Sequence, residues 1–171
     1  MAVPERAVRR FGQDYHEPLA VLAFLSAAVR RTRLGTSALI VPYRGAVYQA
    51  KAMATLDHLS GGRMTFAVGA GWSEDESRVL RVDFHRRGRL TWEYLRAFRA
   101  LWADEHLEFH GDFIDVEGVT FAPRPIQDPC RCGERATARW RCAAPPSFAR
   151  RGTRRGRPSR ICVCRYPAIG T

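Results

Sequence analysis

LGTSALIVP, residues 34–42, is apolar or small at nearly every position and is stopped by Pro42. A short run without a polar face reads as a strand buried on both sides. RMTFAVGAGW, residues 63–72, is a second run of this kind that closes in glycines. Between them, GAVYQAKAMATLDHLSGG puts Ala46, Val47, Ala50, Met53 and Ala54 on one helical face and stops at Gly61 and Gly62. A connection of about twenty residues is a crossover between parallel strands, because a hairpin needs only a few.

The neighbouring segments extend this order. Upstream, PLAVLAFLSAAVRRTR reads as a helix over residues 18–33 with Val21, Leu22, Leu25, Ala28 and Val29 on its apolar stripe. Downstream, WSEDES opens a third helical region, which Leu90, Tyr94, Ala97, Phe98 and Leu101 continue at helical spacing. After Trp102 the period falls to two in HLEFH, DFIDVE and VTFAP, divided by Gly111-Asp112 and Glu117-Gly118, as in a small antiparallel excursion. Strand and helix in alternation predict an α/β protein with a parallel sheet, although two strands alone cannot complete one.

The chain has 171 residues and a net charge of +11, but residues 130–171 hold eleven arginines against Glu134 and all five cysteines. The basicity therefore belongs to the tail. No stretch approaches the length of a membrane helix and the N-terminus lacks a signal-peptide core, so no membrane partner and a cytoplasmic location are expected.

In VGAGWSEDE, Gly69 and Gly71 permit close backbone approach at a strand's carboxyl end, where α/β folds bind ligands. Glu74 stands where a dinucleotide fingerprint has its third glycine, and Glu74, Asp75 and Glu76 would repel a pyrophosphate, so a Rossmann site is disfavoured. A tight strand-to-helix turn and a cofactor-facing role for Gly69, Ala70, Gly71 and Trp72 remain equal readings. Asp57 and His58 read as a helix end and surface turn. Arg86, Arg87 and Arg89 read as solvated, and the histidines lack metal-ligand spacing. No catalytic residue and no metal ligand is assigned.

LGTSALIVPYR, AKAMATLDHLSGGR, FAVGAGWSEDE and FHRRGRLTWEYLRAFRALW together resemble the luciferase-like monooxygenase superfamily, most closely its deazaflavin-dependent subgroup, over residues 15–128. The resemblance implies a (β/α)8 TIM barrel, of which residues 34–41 and 64–69 are the third and fourth strands. It implies reduced FMN or the 5-deazaflavin coenzyme F-420 as cofactor and a small organic molecule as substrate. It also implies a non-proline cis peptide between Ser37 and Leu39 behind the ring, with Thr36, Ser37, Ala38 and Leu39 near the cofactor. Trp92 departs from the family's usual acid after Thr91.

By the same resemblance the first two strands are absent, and a fifth should follow Asp128. Instead PCRCGERATARW begins. In a GC-rich gene, reading one base upstream turns every cysteine codon into one for Leu, Met or Val and permits a family-like continuation. A frameshifted, disordered tail over residues 130–171 is thus expected behind a partial barrel over residues 1–129, and sequencing the coding DNA tests it. Weak cofactor binding or none, no turnover and poor solubility follow for such a piece, with open sheet edges. The alternative is a noncatalytic basic protein whose tail binds zinc or nucleic acid. The C-x-C pairs at 130/132 and 162/164 are poor zinc spacing, and three aromatic residues offer little stacking, so nucleic acid is not the expected partner.

Overall fold

A computed structural model describes residues 14–103, 106–127 and 132–134. Pro18 begins helix α1 (Pro18–Ala28), where its missing N–H costs nothing, and the Glu17 side chain caps it by accepting from Ala20 N at 2.7 Å. The helix is apolar almost all round, so periodicity does not select its inner face. Leu19, Leu22 and Ser26 turn inward, whereas Val21, placed on the stripe from sequence, is exposed. Ser26 is satisfied there by donating to Leu22 O at 2.7 Å.

Strand β1 (Leu34–Ile40) runs into a 3-10 turn at Val41–Tyr43, then helix α2 (Ala46–Ser60) and strand β2 (Met64–Gly69). Gly61 ends α2 in the left-handed conformation, φ 64°. β1 and β2 pair in parallel, Leu34 opposite Met64 and Ile40 opposite Gly69. β5 (Cys132–Glu134) pairs in parallel on the other side of β2, giving the order β1-β2-β5. The sequence reading ended regular structure at Cys130. Here the backbone continues the sheet past that point, in the place where the resemblance expected a fifth strand. The other tail residues, on which the expectations of disorder, zinc and nucleic acid fall, lie outside the described residues.

Asp57 leads the chain to that position. It is fully buried rather than in a surface turn, and its carboxylate accepts from Gln127 N at 2.8 Å and Gln127 Nε2 at 2.6 Å. Arg63 ties the amino-terminal side, donating to the carbonyls of Ser26, Val29, Thr32 and Ser60.

The third helical region is two helices, α3 (Glu74–Val79) and α4 (Arg87–Ala103). Ser73 caps the first, and Asp83 accepts from the amides of His85 and Arg86 in the loop that divides them. β3 (His106–His110) and β4 (Asp115–Thr120) form an antiparallel pair. Gly118 does not end a strand, as the sequence suggested. Leu107 pairs with Val119 and Phe109 with Val116, so one extra residue sits in β4, and Gly118 at φ 64° absorbs it as a bulge. Glu93 of α4 holds the connecting turn through hydrogen bonds from the amides of Asp112, Phe113 and Ile114.

The core lies on one face of the sheet. Leu39, Met64, Phe66 and Val68 are wholly buried there with Met53 of α2 and Leu101 of α4. Burying each such side chain contributes about 1.5–3 kcal/mol. The opposite face is not covered by the described residues: Gly35, Ser37, Ala38 and Thr65 are exposed. The expectation that the run from Leu34 to Pro42 is buried on both sides is therefore corrected, because helices pack against one side only.

Candidate active site

β1 and β2 fall out of register near their carboxyl ends. Pairing is one to one from Leu34 with Met64 to Ser37 with Ala67, and resumes with Leu39 opposite Val68, which leaves Ala38 as an extra residue on β1. An inserted residue bends a strand and re-aims its side chains. The peptide between Ser37 and Ala38 is cis, inside the interval that the resemblance implied. Thr36 Oγ1 donates to Ala67 O at 2.8 Å across the same break.

Side chains alternate along each strand, so the pairing sorts the eight sequence-chosen residues by face. Ser37 shares the open face with Ala67 and Gly69, and a Cβ on Gly69 would lie 3.5 Å from Ala38 Cβ, which puts Ala38 there too. Thr36 and Leu39 take the opposite, helix-covered face with Phe66 and Val68, and Leu39 is fully buried. These two present no side chain to the open face. Ala70, Gly71 and Trp72 follow β2 at its carboxyl end, with Trp72 65% exposed.

Gly71 needs to be glycine on two counts. Its φ is 85°, and a Cβ would stand 3.0 Å from the Tyr43 hydroxyl oxygen and 3.1 Å from Ile40 Cγ2. Tyr43 donates to Glu76 Oε2 at 2.9 Å. Burial, the bond to Glu76 and the Glu76 charge together push the Tyr43 pKa up to about 12. Arg87 is half-buried rather than solvated: its Nε donates to Gly71 O at 3.1 Å, and its guanidinium lies over the Phe84 ring at 3.7 Å. Sequence reasoning missed Tyr43, Glu76 and Arg87 as supports of the glycine turn. The only signal was their place in VPYR, SEDE and HRRGR; nothing in spacing brings them together.

Beside Tyr43 opens a cleft of about 460 Å³ between the 3-10 turn, the loop joining α3 to α4, and α4. Among the described residues no three His, Cys, Asp or Glu side chains stand close enough to hold a metal ion, and no helix is long and apolar enough to cross a membrane.

A family model described as luciferase-like monooxygenase matches residues 1–157. The chain belongs to the luciferase-like monooxygenase family. The match runs past Cys130 into the Arg-rich tail. The chain is 32% identical over 123 residues to an FMNH2-dependent dimethylsulfone monooxygenase of Pseudomonas putida, covering 70% of this chain and 34% of that protein. It resembles the crystal structure of monooxygenase RslO1 from Streptomyces bottropensis with a TM-score of 0.64 and 29% identity over 68% of this chain and 38% of that one. A TM-score of 0.60 at 23% identity, over 67% of this chain and 36% of the other, relates its fold to an F-420-dependent secondary alcohol dehydrogenase. The luciferase-like chain spans 34–46% of the length of the curated relatives it matches. Its two longest parallel strands are neighbours, as two successive staves of a luciferase-like barrel must be.

Proposed function

We propose that the open face of β1 and β2 is part of the seat of a flavin-type ring, reduced FMN or coenzyme F-420, in an oxidoreductase that acts on a small organic molecule. The observation that carries this reading is the irregularity at Ala38. It turns Ser37 and Ala38 outward beside Ala67 and Gly69 at the carboxyl end of parallel strands. Side chains this small let a planar ring approach the backbone, and such ends are where barrel enzymes bind ligands. The bound cofactor supplies a hydride or, as a reduced flavin, activates oxygen. The residues of this chain orient the ring and screen it from water, with Gly71 held in place by Tyr43 and Arg87.

The ring seat fits; the phosphate grip that the resemblance expects after a fifth strand falls outside the described residues. Anaerobic titration with reduced FMN, reduced F-420 and lumiflavin, which has the ring without phosphate, tests the seat. Lumiflavin should bind measurably, and Gly69→Leu should weaken it about tenfold by filling the open face while leaving the melting temperature unchanged. Lumiflavin binding that ignores Gly69→Leu, or none with any of the three at millimolar concentration, would remove the reading.

A further inference from the structure

The cleft beside Tyr43 has a composition that the ring seat does not explain. Its volume, about 460 Å³, lies within the range of small-molecule sites. Pro42, Leu90 and Phe113 give it an apolar wall. Its charged lining is three arginines, Arg44, Arg81 and Arg86, against one acid, Asp83. Arg44 is engaged, pairing with Glu17 at 2.5 Å. Asp83 is also engaged, since its Oδ1 accepts the amides of His85 and Arg86 at 2.9 and 3.3 Å.

The other two cations have no carboxylate among the described residues. Arg86 stacks over the Phe113 ring with its guanidinium 4.3 Å from the centroid, a packing that leaves the N–H edges free to donate. Arg81 sits at φ 57°, a left-handed conformation uncommon outside glycine, fixed by the end of α3 where Val82 N bonds to Ser77 O at 2.8 Å. Isolated surface arginines are ordinarily solvated. Here two exposed ones, without a carboxylate partner among the described residues, line one cleft with an apolar wall whose single acid is already occupied.

We infer that this cleft binds an organic anion, an aromatic or aliphatic body with one carboxylate, sulfonate or phosphate, with Arg81 and Arg86 holding the charge and Phe113 and Leu90 the body. The assignment does not depend on a flavin lying against β1 and β2. Two sources share the chemistry: the phosphate-bearing chain of a cofactor on the neighbouring seat, and a separate anionic substrate.

Calorimetric titration of the full chain with 2-naphthoate and with neutral 2-naphthamide tests the site. The acid should bind about tenfold more tightly than the amide and weaken as salt is added. Arg81→Asn, which keeps a residue tolerant of the left-handed backbone, and Arg86→Gln should each cost about three- to fivefold, the scale of a solvent-screened ion pair. If Arg86→Gln disturbs the Phe113 packing, seen by circular dichroism, Arg81→Asn decides alone. Competition by FMN would assign the anion to the cofactor, and additive binding would assign it to a substrate; both sustain the site. Equal affinity for acid and amide, or an Arg81→Asn variant that binds 2-naphthoate unchanged, overturns it.

Discussion

On one face of β2, Met64, Phe66 and Val68 are fully buried against the helices; on the other, Thr65 is exposed and Ala67 and Gly69 are half-covered. The same six residues build both faces by alternation. The covered face carries bulk because it must fill the space under α2 and α4. On β2 the open face is made of residues no larger than threonine, and it continues on β1 as Gly35, Ser37 and Ala38, ending at the larger Ile40 opposite Gly69. The small residues of this face keep the backbone accessible, and the bulge at Ala38 places that accessibility at the carboxyl end.

The largest expected effect lies on the covered face, where Phe66→Ala should destabilise by about 3–5 kcal/mol in urea denaturation, enough to unfold a small domain. A smaller effect of opposite sign tests whether that side is fully satisfied. Gln49 is completely buried on α2, and its amide nitrogen and amide oxygen have no partner among the described residues. Gln49→Met should raise stability by about 1–2 kcal/mol, because it removes an unpaired polar group at nearly constant volume; a fall in melting temperature would show that the amide has a role.

At the rim between the faces, Tyr43 gives a pH signature. Its folded pKa of about 12 lies above the ordinary 10.0, so the neutral phenol is the form that the fold favours. That contribution is complete below about pH 10 and disappears as pH rises through 12. The wild-type melting temperature should therefore decline over this window more steeply than that of Tyr43→Phe, and the variant should lose the latest step of the phenolate absorbance titration. The smallest effect belongs to the open face, where Thr65→Ala should change stability by less than about 0.5 kcal/mol. A cost comparable to that of Phe66→Ala would mean that another part of the protein covers this face in solution.

Much of the fold could be read from the chain because it rests on local terms. The helix over residues 46–60 is announced by its alanine and methionine face and by Gly61, and the two strands by their apolar runs. Their parallel pairing followed from the length of the crossover. The errors share one cause, which is that propensity does not say what a segment packs against. Val21 and Leu22 are both apolar, yet only Leu22 is buried. Glu117-Gly118 has turn chemistry, but the pairing of β3 with β4 uses it as a bulge. Arg87 looks like one charge among many, and its bond to Gly71 O spans sixteen residues of sequence. The candidate site was legible as a list of small residues and not as a surface. Thr36 and Ser37 are equally small neighbours, and only the pleat sends them to opposite faces.

Local chemistry by itself determined the order of elements, their approximate ends, the family resemblance and the identity of the residues at the strand ends. Those depend on backbone propensity, apolar period and turn residues, which act over a few positions. The tertiary structure alone decided which face is covered, where β1 loses register, and that Tyr43, Glu76 and Arg87 support one glycine turn. Each of these depends on contacts between segments tens of residues apart, and short-range preference carries no information about which distant partner fills the space.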